Sequence, residues 1–184
     1  MSFGLSKPAI NVPVLTTTRL RLRAHELEDF EPSAVMWGDA EVVRHVGGRP
    51  FTREESWARY LRYPGLWALL GYGFWLAEEK GTQRFVGDVG FGDFKRAIEP
   101  KLEGEPEAGW VLARHAQGKG YATEAMGAVL AWADQRLKGR ASVCMIDTGN
   151  ASSIRVADKL GYREFARTDY KEKAVILYRR ESKG

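Results

Sequence analysis

The residues best suited to chemistry lie between Ala116 and Ala125, reading Ala-Gln-Gly-Lys-Gly-Tyr-Ala-Thr-Glu-Ala. They join an apolar stretch, Ala108 to Ala113, to a segment in which Ala122, Ala125, Met126, Val129, Leu130, Ala133 and Leu137 recur at helical spacing. A glycine-rich turn leading from a strand into a helix gathers backbone N–H groups at the helix's positive end, which is a place to hold phosphate. Gly118 and Gly120 let the main chain approach an anion with no Cβ in the way. Lys119 either adds a positive charge to that cradle or is simply solvated.

Two nucleotide motifs fail on these residues. A Walker A loop begins with Gly where this chain has Ala113, and it follows Gly118-Lys119 with a hydroxyl for magnesium where this chain has Gly120. A dinucleotide fingerprint requires Gly or Ala at Thr123 and an acid ending the next strand, whereas Asp134 falls inside the expected helix. Cys144 sits in a short apolar strand, Ala141 to Ile146, a packing context rather than that of a nucleophile. His25, His45 and His115 are scattered without metal-ligand spacing, so no metal is expected.

The elements that must position this loop follow from pattern. A strand near 19–24 alternates Arg19, Arg21 and Arg23 with Leu20, Leu22 and Ala24, the signature of a half-buried strand with a solvated outer face. A helical region runs from Glu26 to Val46 with an interruption at Gly38, and Thr52-Arg-Glu-Glu55 is a capping box that starts another helix. Pro64-Gly65 is expected to break or kink that helix. Strands follow near 73–79 and 84–94, then a loop from Ile98 to Pro106, the strand ending at Ala113, and the long helix to Leu137. The last third reads as strand 141–146, helix 151–160 ended by Gly161, and strands near 163–169 and 173–179. Strands alternating with helices in one half and pairing as hairpins elsewhere imply an α/β layering with a mixed sheet.

Gln117, Gly120 and Ala122 match the Gln/Arg-x-x-Gly-x-Gly/Ala motif of the GCN5-related N-acetyltransferase (GNAT) superfamily, and the wider string resembles its ribosomal-protein N-terminal acetyltransferase (RimJ/RimL-type) branch. Three further segments resemble that branch in order: Leu15 to Arg23, Val86 to Phe91, and Asn150-Ala-Ser-Ser153 through Lys159-Leu-Gly161-Tyr162. The resemblance implies a mostly antiparallel sheet splayed between its fourth and fifth strands and flanked by helices. An extended pantetheine arm takes up the unpaired edge groups of such a splay.

The resemblance also implies roles. Acetyl-CoA is the co-substrate, its diphosphate held by main-chain groups from Gln117, Gly118, Lys119, Gly120, Tyr121, Ala122 and Thr123, with pantetheine beside Val111, Leu112 and Ala113. A backbone N–H near Val111 is the oxyanion donor. Asn150, by default a helix N-cap, also reaches the coenzyme. Ser153 assists the departing thiolate or is an exposed first-turn serine, and Tyr162 is a second possible donor or strand core. Glu107 is the expected general base, with Glu99, Glu103 and Glu105 acidifying the cleft mouth or merely solvated. Trp37, Trp57 and Trp67 fall where relatives build the acceptor pocket.

Bulk properties constrain less. At 184 residues and 44% hydrophobic, the chain is large enough for a single domain, read as 14–184 after a loose tail, Met1 to Pro13. One cysteine, no signal pattern and no membrane-length apolar run suggest a cytoplasmic protein. The net charge of +4 suits a polyanionic ligand, but no basic stripe marks a nucleic-acid surface. The expected activity is acetyl transfer by direct attack of an amine, with a protein or peptide N-terminus as acceptor. Small amines (aminoglycosides, polyamines) and a non-catalytic acyl-CoA sensor stay open, and related enzymes include homodimers.

Overall fold

Leu20 and Leu22 are completely buried while Arg21 between them turns outward, and the strand they form is one of eight in a single sheet. The computed structural model describes residues 10–102 and 104–183. In chain order the elements are β1 (Leu15–Thr16), β2 (Leu20–Arg23), α1 (Phe30–Trp37), α2 (Ala40–Val43), α3 (Arg53–Tyr60), α4 (Arg62–Leu70), β3 (Phe74–Glu79), β4 (Phe85–Gly92), β5 (Glu107–Leu112), α5 (Tyr121–Arg136), β6 (Ser142–Asp147), α6 (Ala151–Lys159), β7 (Arg163–Tyr170) and β8 (Lys173–Arg180). Strand order is β1-β2-β3-β4-β5-β6-β8-β7. Every neighbouring pair is antiparallel except β5 with β6.

That parallel pair is where the sheet opens. β5 and β6 are in register only at Glu107 and Val143, reinforced by Val143 N–H donating to Pro106 C=O at 3.0 Å. Beyond this point the strands part, leaving one edge of each without a partner. The expected splay is thus present, one strand later in the count because the two-residue edge strand β1 has too little pattern to be read from sequence.

The apolar stripe of α5 explains its place. Ala125, Met126, Val129, Leu130 and Ala133 are buried on one sheet face with Trp75, Val89, Phe91 and Cys144. Helices α1 to α3 lie on the other face, and α4 reaches both, with Tyr63 against Phe74 and Trp67 against Trp75 and Trp132 of α5. The Thr52–Glu55 capping box forms as expected, with Thr52 N–H donating to Glu55 at 2.8 Å and Glu55 N–H to Thr52 Oγ1 at 3.2 Å. The break falls at Leu61, not at Pro64. Pro64 lies in the first turn of α4, where its missing N–H had no helical partner to lose.

The last residues of the expected tail are not loose: Ile10 and Val12 pack on the core and Trp75 Nε1 donates to Pro13 C=O at 2.7 Å. Residues 1–9 and Glu103 lie outside the described residues. No described helix is long and apolar enough to cross a membrane.

Candidate active site

Which main-chain groups of β5 face the opening follows from register. Ala113 N–H donates to Val86 C=O at 2.9 Å, and the ladder continues with Leu112 opposite Gly87, Val111 opposite Asp88 and Trp110 opposite Val89. In an antiparallel ladder hydrogen-bonded pairs alternate, so Val111 exchanges its bonds with Asp88. The main-chain groups of Ala108, Trp110 and Leu112 therefore point toward β6 and the opening. Leu112 C=O confirms the phase, since it accepts from Gln117 Nε2 at 2.9 Å instead of from β4. The N–H of Val111 itself is committed to β4, and the neighbouring N–H groups that face the opening are those of Trp110 and Leu112.

The chain then turns through Gly118 (φ +74°) and Gly120 (φ +80°) into α5. Both values lie in the left-handed region that a Cβ disfavours. No side chain caps α5, and the N–H groups of Tyr121, Ala122 and Thr123 make no hydrogen bond to another described residue. The turn is tied down from β2: Arg19 Nη1 donates to Lys119 C=O at 3.0 Å, and Arg19 and Thr17 both hold Glu124, at 2.7 and 2.6 Å. Arg19 therefore does more than face solvent, and Arg23 is mostly buried between Asp29 and Glu78. These corrections to the solvated-face reading arise because Glu124 and Glu78 come from distant segments and Asp29 from the turn that folds back after β2.

Across the opening, Asn150 caps α6 as its position suggests, with Oδ1 accepting from Ser153 N–H at 3.1 Å and from the Ser152 hydroxyl at 2.8 Å. Its side-chain NH2 stays available. Ser153 Oγ accepts from Trp110 Nε1 at 3.2 Å, a bond that bridges β5 and α6 across the gap. Trp110 was not foreseen; its neighbours in sequence are apolar, and nothing local signals its contact 43 residues away.

Glu107 is placed differently from expectation. It is buried at 7% exposure, and Arg96 binds both its oxygens at 2.6 and 2.7 Å. Burial pulls the Arg96 pKa down, but the bonds and charge of Glu107 override this and raise it. Glu107 also lies three residues from Trp110, about 10 Å along an extended strand. A carboxylate locked in a bidentate pair at that distance is a structural group, so it is withdrawn as the base. Glu107→Gln is expected to leave kcat within about twofold while lowering stability by about 2 kcal/mol, because Arg96 loses its charge partner. Thermal melting beside a turnover assay checks this. Of the acidic loop, Glu105 is bound to Arg179 at 2.9 Å.

A family model described as "Acetyltransferase (GNAT) domain" matches residues 19–163. The chain belongs to the GNAT family. It is 31% identical over 175 residues to the uncharacterized protein YkkB of Bacillus subtilis, covering 91% of this chain and 95% of that one. A putative GNAT-family acetyltransferase from Bordetella pertussis superposes with a TM-score of 0.81 at 30% identity, covering 92% of this chain and 99% of that one. RimL, a ribosomal L7/L12 α-N-protein acetyltransferase solved with coenzyme A, shares the fold at TM-score 0.74 and 19% identity, over 92% of this chain and 98% of that one. This chain is thus a GNAT N-acetyltransferase, of a family that uses acetyl-CoA.

On the GNAT sheet the remaining candidates take structural places. Tyr162 is fully buried, its hydroxyl 2.8 Å from Ser142 Oγ, and burial raises its pKa. Burial likewise pushes the Cys144 thiol up, which suits packing. Trp67 is core, Trp57 is partly exposed, and Trp37 donates to the buried Asp88 at 3.2 Å. Among the described residues no group of three or more His, Cys, Asp or Glu is placed to hold a metal. A cavity of about 700 Å³ lies on the helical face between α1 and β2–β4, lined by Val35, Met36, Leu76 and Phe85 with charged groups at its rim. None of its lining residues comes from β6 or α6.

Proposed function

We propose that this GNAT enzyme transfers the acetyl group of acetyl-CoA directly to the α-amino group of a peptide or protein. The observation that carries the reading is the free edge of β5 ending in three unpartnered N–H groups at the start of α5. An extended arm with amide groups can pair with the first, and a diphosphate with the second. Gln117 contributes through its main chain, its side chain being spent on Leu112. Asn150 offers its NH2 to the pantetheine from the other wall.

In this arrangement Trp110 N–H faces the thioester oxygen and steadies the negative charge that develops there. Ser153 serves the leaving sulfur. The indole N–H that bonds Ser153 Oγ polarises the hydroxyl and orients its proton outward. Ser153→Ala is expected to lower kcat about tenfold with acetyl-CoA affinity unchanged, a modest loss because water can replace a hydroxyl relay. Full activity in that variant removes Ser153 from the mechanism.

Two features favour an α-amine. The 700 Å³ cavity sets Arg23, Arg84 and Arg114 against Asp29, Asp39 and Glu78, a balance that gives no acidic trap for a polycation such as a polyamine. An α-amine, with an ordinary pKa near 8, also needs far less help to lose its proton than a lysine near 10.4. The test is thiol release from acetyl-CoA with Ser-Ala-Tyr amide, its N-blocked form, spermine and kanamycin. The reading requires the free peptide to be used and its blocked form not; preference for spermine or kanamycin makes the enzyme a small-amine acetyltransferase instead. Calorimetric acetyl-CoA binding without thiol release from any amine would leave a sensor.

A further inference from the structure

With Glu107 locked to Arg96 and Asp88 saturated by three donors, the amine needs another proton acceptor. We infer that His45, held by Asp147, takes the proton from the acceptor amine; this rests on the acetyl-transfer reading above. α2 buries Val43 beside Trp37 and Ala113, with Val111 of β5 packed on the same cluster. Two residues later His45 Nδ1 lies 3.3 Å from Asp147 Oδ1 on the last residue of β6. Residues 43–45 thus span the opening from its β5 wall to its β6 wall, on the helical face.

The ring's position is defined. His45 Cε1 would stand 3.5 Å from a Cβ on Gly149, and Asp147 Oδ1 is itself fixed by Gly149 N–H at 2.8 Å. Counting along the parallel strands from the Glu107–Val143 pair, Asp147 comes level with Val111, one residue from the Trp110 N–H. His45 is thereby assigned to the same level of the opening as that N–H, on the helical face. Asp147 stands on the Nδ1 side of the ring, so Nε2 is the nitrogen assigned to take the proton. His45 is about one-third exposed, so the proton it collects can reach solvent. The charged group against it is Asp147 from β6, and Lys173 from β8 lies in the same neighbourhood, its Nζ next to Gly48 of the same loop. Arg44 and Arg49 on its own segment are paired with Glu41 and Glu55.

The step balances without a further reactant. The amine nitrogen attacks the thioester carbon and forms the C–N bond while its proton passes to His45 Nε2. The C–S bond then breaks, and sulfur takes a proton from water, directly or relayed through the Ser153 hydroxyl, which is reprotonated by water in the same transfer. The imidazolium returns its proton to solvent, so amine and thioester become amide and thiol.

The test compares wild type, His45→Gln, His45→Gly and Asp147→Asn on whichever of Ser-Ala-Tyr amide, spermine or kanamycin wild type uses best. His45→Gln is expected to lose about 100-fold in kcat/KM and the acidic limb of its pH profile, and Asp147→Asn about tenfold. Added imidazole should restore part of the rate to His45→Gly. Acetyl-CoA affinity, measured by calorimetry, should stay within about threefold in all variants, well under one tenfold step. His45→Gln turning over like wild type with its acidic limb intact, an unrescued His45→Gly, or a fall in acetyl-CoA affinity would each overturn the role of His45 alone. A wild type that acetylates none of the amines overturns the acetyl-transfer reading, and the inference with it.

Discussion

Asp88→Ala is expected to destabilise the protein by about 4 kcal/mol, the largest single loss foreseen for a side chain outside the opening. Asp88 sits fully buried in the middle of β4 and accepts three bonds: from His25 Nε2 at 2.9 Å, Trp37 Nε1 at 3.2 Å and the Tyr63 hydroxyl at 2.8 Å. The carboxylate only accepts, which assigns the Nε2 proton of His25. These donors come from the segment after β2, the end of α1 and the first turn of α4, so one side chain fastens the helical layer to the sheet. An alanine leaves all three donors buried without this acceptor, and the Tyr63 hydroxyl cannot ionise to relieve the loss because burial raises its pKa. At about 2–4 °C per kcal/mol for a chain of this size, the melting temperature should fall by roughly 8–16 °C. Asp88→Asn, which keeps one accepting oxygen, should lose about half as much. A drop below about 1 kcal/mol in Asp88→Ala would mean that water satisfies the three donors and that the network is not what fixes this layer.

Asp88 and the Gly118–Gly120 turn mark the two extremes of what the chain discloses before it is folded. The turn is local: two glycines and a helix start act within a few residues, as does the Asn150 cap of α6, so the pattern gives their shape directly. The strand-helix order was legible for the same reason, as was the Thr52 capping box. The Asp88 network spans 25 to 63 residues of chain, and nothing near Asp88 marks it as a triple acceptor. Glu107 looked free because Arg96 lies across a loop, and Val111 looked like the oxyanion donor because the phase of β5 depends on which edge β4 occupies. His45 reads in sequence as one of three scattered histidines, because its neighbour Asp147 is 102 positions away in the numbering. Local chemistry is readable, whereas register and long-range pairing decide which candidate does the work.

The turn itself makes the other large prediction. Gly120→Val is expected to weaken acetyl-CoA binding by at least about 50-fold, close to 2.3 kcal/mol. The cause is conformational rather than a clash. A Cβ at Gly120 would lie 3.5 Å from Arg19 Nη2, an ordinary contact, but the backbone is held at φ +80°, where a β-branched residue is strained. Valine relieves that strain by turning the Gly120 peptide, and the turned peptide no longer presents the first N–H groups of α5 to a common point. Gly118→Ala meets nothing within 4 Å yet shares the positive φ, so a smaller loss of about tenfold is expected, in line with a left-handed penalty of 1–2 kcal/mol. Gly127→Ala supplies the control. It lies inside α5 with open space around its missing Cβ, and alanine there should stabilise the helix by about 0.5–1 kcal/mol without touching affinity. Calorimetric titration of the three variants with acetyl-CoA, beside their melting curves, separates the effects. Affinity lost at 120 and 118 but kept at 127 ties the coenzyme to the turn, and a Gly120→Val protein that folds and binds within about threefold of wild type, a change of well under 1.4 kcal/mol, would place the phosphates elsewhere.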